Sequence, residues 1–292
     1  MVPRRTARRP ILAPSSSSST DVGGYLAFRA DLDDPSLVAA YDDLPLWSAM
    51  AGLLLLTHVP LAPAIVALDI GCGTGFPSIE LAERLGPSAR VHGLDPWRPA
   101  LERARAKAAA RGVPHVVFDH GDATCMPYAD AHFDLIVSNL GLNNLRDADA
   151  AVAECHRVLR PGGRLALSTN LVGHMAEFYD VLERVLAETG AEREPGALRR
   201  HIEGRASVAG IRVLLERHGF RLGRVEETTQ SLRYADGTAL LNHWFIKLGF
   251  LDGWRATMDV TRAAEVFGRL EAALPRPLLL TVPFAYIEAL WQ

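Results

Sequence analysis

Five short apolar runs alternate with segments of helical character through the middle of the chain. The first run, residues 64–70 (AIVALDI), is apolar except for Asp69, which is typical of a strand buried in a parallel sheet. Further strands are predicted at 90–94, 115–118, 133–139 and 164–169, with helices at 76–85, 99–111 and 147–159. Pro161-Gly162-Gly163 is expected to end the last of these helices. This alternation predicts a doubly wound, Rossmann-like α/β fold with a mostly parallel sheet.

Two regions fall outside this alternation. Residues 31–60 look helical, and strands near 221–228 and 278–283 bring the predicted sheet to seven strands. Between those two strands, residues 230–276 form a predicted helical insertion rich in aromatic residues. Its aromatic residues are Tyr234, Trp244, Phe245, Phe250, Trp254 and Phe267. We expect the insertion to be either a subdomain with its own core or a lid over an apolar substrate at the carboxyl edge of the sheet.

These patterns divide the chain into five segments. They are a disordered tail (1–20), an N-terminal helical cap (21–63), a sheet-bearing core (64–229), the helical insertion (230–276) and the last core strand (277–292). The tail is rich in Arg and Ser and has no acid, which is typical of a disordered segment and also of an organelle transit peptide; we favour the former. Residues 49–70 are apolar, but prolines and Asp69 interrupt them, so no membrane-spanning helix is expected.

Composition narrows the possible partners. The 292 residues carry 31 Lys and Arg against 34 Asp and Glu, a formal net charge of −3, which disfavours a nucleic-acid partner. Cys72, Cys125 and Cys155 are scattered, without the spacing of a disulfide framework or a zinc site. We therefore expect no metal, and a reducing compartment that favours the cytoplasm.

The strongest local signal is the glycine-rich bend after the first strand, Leu68-Asp69-Ile70-Gly71-Cys72-Gly73-Thr74-Gly75. Glycine permits sharp turns and lets a ligand approach the backbone closely. The spacing is GxGxG, which differs from the GxGxxG of dinucleotide binding and from the P-loop. Asp69 would repel a pyrophosphate but suits a cationic amino group. The alternative is a tight strand-to-helix turn without a ligand.

Acidic residues follow the next two strands. Asp95 comes 20 residues after Gly75, where an acid accepts hydrogen bonds from both hydroxyls of a ribose. Gly121-Asp122-Ala123 follows the third strand, where a carboxylate accepts from an adenine amino group. Together these residues indicate a site for an adenosine.

In this order, LDIGCGTG, Asp95, GDA, FDLIVSN and RVLRPGG resemble the class I S-adenosylmethionine (SAM) dependent methyltransferases. The resemblance covers about residues 64–190. The stretch from Tyr41-Asp42 to Trp47-Ser48 and the run Gly141-Leu142-Asn143-Asn144 are similar to those of quinone-biosynthesis C-methyltransferases. Residues 168–186 look more like malonyl-carrier-protein O-methyltransferases.

The resemblance implies SAM as the cofactor and gives roles to individual residues. Asp69 and the glycine bend would hold the methionine moiety, with Asn139 facing it; Asp95 would bind the ribose, and Asp122 and Ala123 the adenine. The implied cofactor contacts are Asp69, Gly71, Cys72, Gly73, Gly75, Asp95, Pro96, Trp97, Asp122, Ala123 and Asn139. Stacking of Trp97 on the adenine competes with simple packing, and Cys72 need only be a small apolar residue.

Methyl transfer also needs an acceptor in line with the S–CH₃ bond and the exclusion of water. Candidate general bases are Tyr41, His174, Tyr234 and His243, each with packing as the alternative. Asn143 and its neighbour Asn144 are neutral and would orient a substrate.

The leading hypothesis is a SAM-dependent methyltransferase that acts by in-line displacement on an apolar, aromatic or acyl-like small molecule. Alternatives are a SAM-binding enzyme that catalyses cyclisation or rearrangement, a methyltransferase with a macromolecular acceptor, a nicotinamide-dependent dehydrogenase, which the GxGxG spacing disfavours, and a non-catalytic scaffold. We expect a small-molecule partner and no nucleic acid or membrane. The N-terminal helix and the insertion are apolar enough to support a homodimer.

Overall fold

The structure, a computed structural model, describes residues 23–43, 46–145 and 147–291, without the side chains of Leu46 and Asn143. The predicted tail, residues 1–20, lies outside the described residues. Within these ranges no helix has both the length and the apolar character needed to cross a membrane.

One sheet of seven strands lies at the centre of the described chain, in the order β3-β2-β1-β4-β5-β7-β6. The strands are β1 (Val66–Ile70), β2 (Arg90–Asp95), β3 (Val116–His120), β4 (Phe133–Asn139), β5 (Leu159–Asn170), β6 (Phe220–Tyr234) and β7 (Leu278–Trp291). Strands β1 to β5 pair in parallel, whereas β7 pairs antiparallel with both β5 and β6. The predicted seven-stranded, mostly parallel sheet is confirmed. Its strand order reverses between β1 and β4, the position where open sheets of this kind bind ligands.

Three strands are longer than their sequence patterns indicate. Strand β6 continues to Tyr234 rather than ending near residue 228, so residues 230–234 of the predicted helical insertion belong to the sheet. Strand β7 continues to Trp291 rather than ending near residue 283, and it lies between two other strands, with both of its faces buried from Phe284 to Ala289. Strand β5 begins at Leu159, which already pairs with Phe133 before the Pro161-Gly162-Gly163 turn. The preceding helix therefore ends at Val158, one residue earlier than predicted, and Pro161 follows two residues after its C-cap, Leu159.

Helices cover both faces of the sheet and its carboxyl edge. The described α-helices are α1 (Pro35–Asp42), α2 (Leu46–His58), α3 (Ser78–Leu85), α4 (Arg98–Arg111), α5 (Ala148–Val158), α6 (Ala176–Thr189), α7 (Ala197–Glu203), α8 (Val208–Arg217), α9 (Gly237–Asn242), α10 (Trp244–Gly249), α11 (Leu251–Arg255) and α12 (Ala263–Ala273). Helix α1 begins where Asp34 accepts a 2.8 Å hydrogen bond from the Ser36 amide, with Pro35 at its first position. Helix α2 is apolar because it packs against β4, β5 and β7.

Four of the six aromatic residues of the insertion fall into two groups. Trp254 and Phe267 are fully buried, and the Trp254 ring stacks on Phe178 of α6 with the ring centres 4.0 Å apart. These residues form a core that the insertion shares with α6. Phe245 and Phe250 instead reach Trp47 of α2, at ring-centre distances of 5.7 and 5.4 Å. The second group therefore places aromatic side chains of the insertion beside the helix that covers the sheet edge.

Candidate active site

The glycine-rich bend joins β1 to α3. Gly71, Gly73 and Gly75 have φ angles of +72°, +50° and +96°, in the left-handed region that side chains disfavour. A Cβ atom on Gly71 would also lie 3.2 Å from the Cα of Gly141 in the loop after β4. Beside Gly73 the nearest atom that a Cβ would meet is Cε1 of Tyr41, 4.0 Å away. The bend therefore needs glycine for its conformation, and at Gly71 also for a close backbone approach.

Asp69 is fully buried just before this bend. Its Oδ2 accepts a 2.5 Å hydrogen bond from the hydroxyl of Ser78, the first residue of α3. Its Oδ1 is buried without a hydrogen-bond partner among the described residues. Burial raises the pKa of Asp69 to about 7 against the Ser78 bond, and the negative charge of Asp95 raises it further. An unpartnered buried carboxylate oxygen is a place for a cationic hydrogen-bond donor.

Asp95 ends β2, and both of its carboxylate oxygens accept backbone hydrogen bonds. Oδ2 accepts from the amide of Gly73 and Oδ1 from the amide of Trp97, each at 2.8 Å. Burial raises the pKa of Asp95, and these two N–H groups oppose the rise. Each ionised oxygen has capacity for a second hydrogen bond, so Asp95 can also accept from two neighbouring hydroxyl groups.

Trp97 connects this edge of the sheet with the N-terminal helices. Its indole N–H donates to the carbonyl of Leu32 at 2.7 Å, and its ring meets Tyr41 edge-to-face at 5.3 Å. Burial raises the pKa of Tyr41, as does the negative charge of Asp95. Pro96, between the two site residues, is exposed. The structure thus places Tyr41 and Trp97 together beside the Asp95 carboxylate.

Asp122 and Ala123 form a tight turn after β3. The Asp122 Oδ1 accepts hydrogen bonds from the amide and the hydroxyl of Thr124, at 2.8 and 2.9 Å. Asp122 is exposed, whereas Ala123 is buried. The turn holds the Asp122 carboxylate at the same edge of the sheet as Asp95, one strand further out.

Asn139 is the last residue of β4, and both the oxygen and the nitrogen of its side-chain amide form hydrogen bonds within the protein. Its Oδ1 accepts from the Ser168 hydroxyl of β5 at 2.7 Å, and its Nδ2 donates to the carbonyl of Ser48 at 3.0 Å. A Cβ atom on Gly52 of α2 would lie 3.2 Å from that Nδ2. Asn139 therefore fastens α2 to the ends of β4 and β5, and its amide is a positioning group in this arrangement.

Cys72 points into the fold. Its side chain is buried, and a Cβ atom on Gly93 of β2 would lie 2.9 Å from its sulfur. Burial, with the charges of Asp69 and Asp95, raises the pKa of the Cys72 thiol well above its usual range. Cys72 is thus a small protonated packing residue under the bend.

His174 lies in the loop between β5 and α6. It is only 2% exposed, and neither ring nitrogen has a hydrogen-bond partner among the described residues. The ring of Trp47 meets it edge-on at 4.8 Å, and Phe250 stacks on it at 5.5 Å. Burial lowers the pKa of His174 to about 3, and the positive charge of Arg205 contributes. His174 is therefore neutral near pH 7 and holds two unused polar atoms in an aromatic enclosure.

The remaining candidate bases lie elsewhere. Tyr234 at the end of β6 and His243 after α9 face each other with ring centres 5.5 Å apart. Burial raises the pKa of Tyr234 to about 12 and lowers that of His243. The side chain of Asn143 lies outside the described residues, and Asn144 donates to the carbonyl of Leu140 at 3.1 Å. The structure brings Tyr41 to the glycine bend and His174 to the end of β5, and it groups Tyr234 with His243 in the insertion.

Two supports of the site were not predicted from the sequence. The Ser78 hydroxyl donates a hydrogen bond to Asp69, and in the sequence only the position of Ser78 at the start of the helix after the bend could have indicated this contact. Asp42 of α1 forms ion pairs with Arg103, at 2.7 Å, and with Lys107 of α4. Because of their spacing, Arg103 and Lys107 lie on one face of α4, and this pattern in the sequence could have indicated a shared acidic partner.

Comparisons with known proteins agree with this geometry. Residues 67–163 match a protein family described as a methyltransferase domain. An arsenite methyltransferase of Halobacterium salinarum is 26% identical over 218 residues, 75% of this chain and 52% of the relative. A demethylmenaquinone methyltransferase of Anoxybacillus flavithermus is 39% identical over 117 residues, 39% of this chain and 49% of the relative. The chain thus spans about half the length of these curated relatives.

The fold has counterparts among solved structures. The YcgJ protein from Bacillus subtilis superimposes with a TM-score of 0.55 at 21% identity, covering 84% of this chain and 98% of that chain. The family match identifies residues 67–163 as a methyltransferase domain, and the sheet order and the structural counterpart agree with the Rossmann-like fold of class I, SAM-dependent methyltransferases. For this domain the predicted methyltransferase class, with SAM as its cofactor, is confirmed.

Proposed function

We propose that this protein transfers the methyl group of SAM to an apolar small molecule, aromatic or acyl-like, held between the sheet edge and the helical insertion. Asp69 is the observation that carries the proposal. It is a fully buried carboxylate beside a glycine bend, and one of its oxygens has no partner. Burying an ionised carboxylate is unfavourable unless a partner compensates, and the ammonium group of the SAM methionine moiety is a partner of the right charge.

The other residues of the site also support SAM binding, and the parts of SAM assigned to them follow the order of the strands in the sheet. Gly73 leaves the backbone open beside the methionine moiety, and Asp95 offers two oxygens to the ribose hydroxyls. Asp122 and Ala123, one strand further out, suit the adenine end. We assign Trp97 to the wall of this site together with Tyr41, since its N–H is already used by Leu32.

Aromatic side chains support an apolar acceptor. Trp47 directly precedes Ser48, whose carbonyl holds the Asn139 amide at the end of β4. The Trp47 ring contacts Phe245, Phe250 and His174. An apolar acceptor in this enclosure would lie next to the end of the strand at which the methionine moiety is expected.

SAM, when bound, supplies a methyl group on a sulfonium that is already electrophilic. The chain's own residues then orient the acceptor and exclude water, which α1 and α2 do by covering the sheet edge. His174 is neutral and can exchange a hydrogen bond with the acceptor, but its pKa of about 3 makes it a weak base. We therefore infer an acceptor atom that loses its proton readily or carries none.

Calorimetric titration with SAM and with S-adenosylhomocysteine tests the proposal. We expect both to bind, and Asp69→Asn to weaken SAM binding because the ammonium loses its counter-charge. Asp130→Asn is the matched control, since Asp130 is an exposed surface carboxylate. A folded wild-type protein that binds neither compound contradicts the proposal. With an acceptor present, S-adenosylhomocysteine must accumulate as product forms; turnover without it would favour a rearrangement instead.

A further inference from the structure

A cavity of about 660 Å³ opens beside the carboxyl end of β5, between the loop after β4 and helices α7 and α8. Apolar side chains form much of its wall. They include Leu142, Leu145, Ile211 and Leu214. Asn170, the last residue of β5, is one of the lining residues, so the cavity meets the edge of the sheet that carries the candidate active site.

The polar part of this cavity is basic. Arg200, His201 and Arg205 line it, and its lining residues include no Asp or Glu. Arg200 is already paired with Glu194 at 2.6 Å. Arg205, by contrast, takes part in none of the ion pairs found among the described residues, and its buried Nε has no hydrogen-bond partner there. The cavity therefore contains one guanidinium without a counter-ion.

The hydrogen bonds around Tyr179 show that the neighbouring imidazole adds no charge. The Tyr179 hydroxyl accepts from the Trp254 indole at 3.1 Å and from Arg205 Nη2 at 3.3 Å, and both of these groups are donors only. Its single proton is thus directed to Nε2 of His201, 3.1 Å away. With Nε2 accepting, His201 is neutral, and burial lowers its pKa in agreement. Arg205 is the cation that an incoming ligand would meet.

The cavity is also linked to the aromatic enclosure of the candidate active site. The Arg205 guanidinium lies 5.7 Å from the centre of the Phe250 ring, and the same ring stacks on His174. One aromatic side chain thus separates the unpaired guanidinium from the unpartnered imidazole.

We propose that the methyl acceptor is an apolar molecule with a carboxylate, and that Arg205 binds this carboxylate in the cavity beside Asn170. This inference rests on the proposed function and names its substrate class. A guanidinium presents parallel N–H groups that match the two oxygens of a carboxylate. The leucine and isoleucine side chains of the wall suit the apolar remainder of the same molecule. The carboxylate is the anchor, which leaves another atom of the acceptor for the methyl group.

Titrations without SAM test the anchor separately from methyl transfer. The probes are octanoate, octan-1-ol and octyl phosphate, and binding is followed by calorimetry or ligand-detected NMR. We expect octanoate to bind the wild-type protein at least tenfold more tightly than octan-1-ol, and Arg205→Gln to remove this preference. Arg212→Gln on α8 is the matched control, because Arg212 is exposed and lies outside the cavity lining.

Equal affinity of the wild-type protein for octanoate and octan-1-ol would overturn the proposal, and so would an octanoate preference that survives in Arg205→Gln. Tighter binding of octyl phosphate than of octanoate would overturn the carboxylate assignment and indicate that the acceptor carries a phosphate. The wild-type comparison decides the question even where Arg205→Gln does not fold. A protein that binds octanoate through Arg205 but does not bind SAM would keep the anchor and refute the proposed methyl transfer.

Discussion

The burial of Asp69 predicts that SAM binding is coupled to the release of a proton. In the free protein the pKa of Asp69 is raised to about 7, mainly by burial, so part of the population is protonated below neutral pH. In the proposed site the SAM ammonium would pair with the ionised carboxylate and favour its charged form. Binding must therefore remove the proton wherever Asp69 still carries one.

The size of the effect follows from that pKa. One pH unit below a pKa of about 7, roughly one carboxyl group in eleven is ionised, so SAM affinity is about tenfold below its plateau. Two units below, the loss is about a hundredfold. Above about pH 8 the affinity no longer depends on this group.

Calorimetry at several pH values, in pairs of buffers with different ionisation enthalpies, measures both affinity and proton release. We expect the release to approach one proton at about pH 6 and to fall toward zero above about pH 8. In Asp69→Asn the affinity is lower but independent of pH in this range. A wild-type affinity that stays flat between about pH 5 and 7, or a proton release that persists in Asp69→Asn, would refute the reasoning.

The Asp69 carboxyl group also makes the stability of the free protein depend on pH. Its folded pKa lies above the model-compound value of 3.8, so between about pH 4 and 7 the folded state binds more protons than the unfolded state. Asp69 therefore lowers the free energy of unfolding as pH rises through this window. In Asp69→Asn this part of the pH dependence disappears, which urea unfolding at several pH values detects.

Three further predictions concern affinity and stability. Asp95→Ala should weaken SAM binding at least tenfold, about 1.4 kcal/mol, because two charge-assisted hydrogen bonds are lost; unchanged affinity by calorimetry would remove Asp95 from the site. Gly71→Ala should reduce SAM binding, and it should lower the free energy of unfolding by more than Gly86→Ala does. Both glycines have positive φ, but only Gly71 also faces nearby backbone, at Gly141, so equal effects of the two substitutions would contradict the close approach. Phe267→Ala should cost about 3–5 kcal/mol in urea unfolding because Phe267 is fully buried; a surface-like cost would contradict the shared core with α6.

The grouping of three acids at one edge of the sheet was predictable because its signals are local. Parallel strands bring their carboxyl ends to one edge, so acids at or just after the ends of successive strands had to meet there. Asp69, Asp95 and Asp122 follow this rule. The hydrogen-bond partners of these acids were harder to predict from the sequence, since the bond from the Gly73 amide to Asp95 depends on the turn geometry and not on residue type.

The aromatic enclosure around His174 and the basic cavity around Arg205 were not predictable to the same degree. His174 was a candidate from its position after β5, but its enclosure joins Trp47 and Phe250, which are about two hundred residues apart in sequence. Arg205 was not a candidate, because an arginine without a counter-ion is recognised only once its neighbours are known. Residues 277–292 were assigned to the last core strand, but their strand pattern was recognisable only near 278–283. From Phe284 to Ala289 both faces are buried, so the alternation that marks a strand is absent.

The position of β7 constrains the order in which the sheet can be completed during synthesis. Strand β7 lies between β5 and β6, and β6 is an edge strand whose neighbour in the sheet is β7. The strands that carry the glycine bend and Asp95 can associate as soon as they leave the ribosome, but β6 must wait for residues 278–291. Until then it presents an unpaired edge to other nascent chains. Shortening the chain within β7 would thus leave β6 without a place in the sheet.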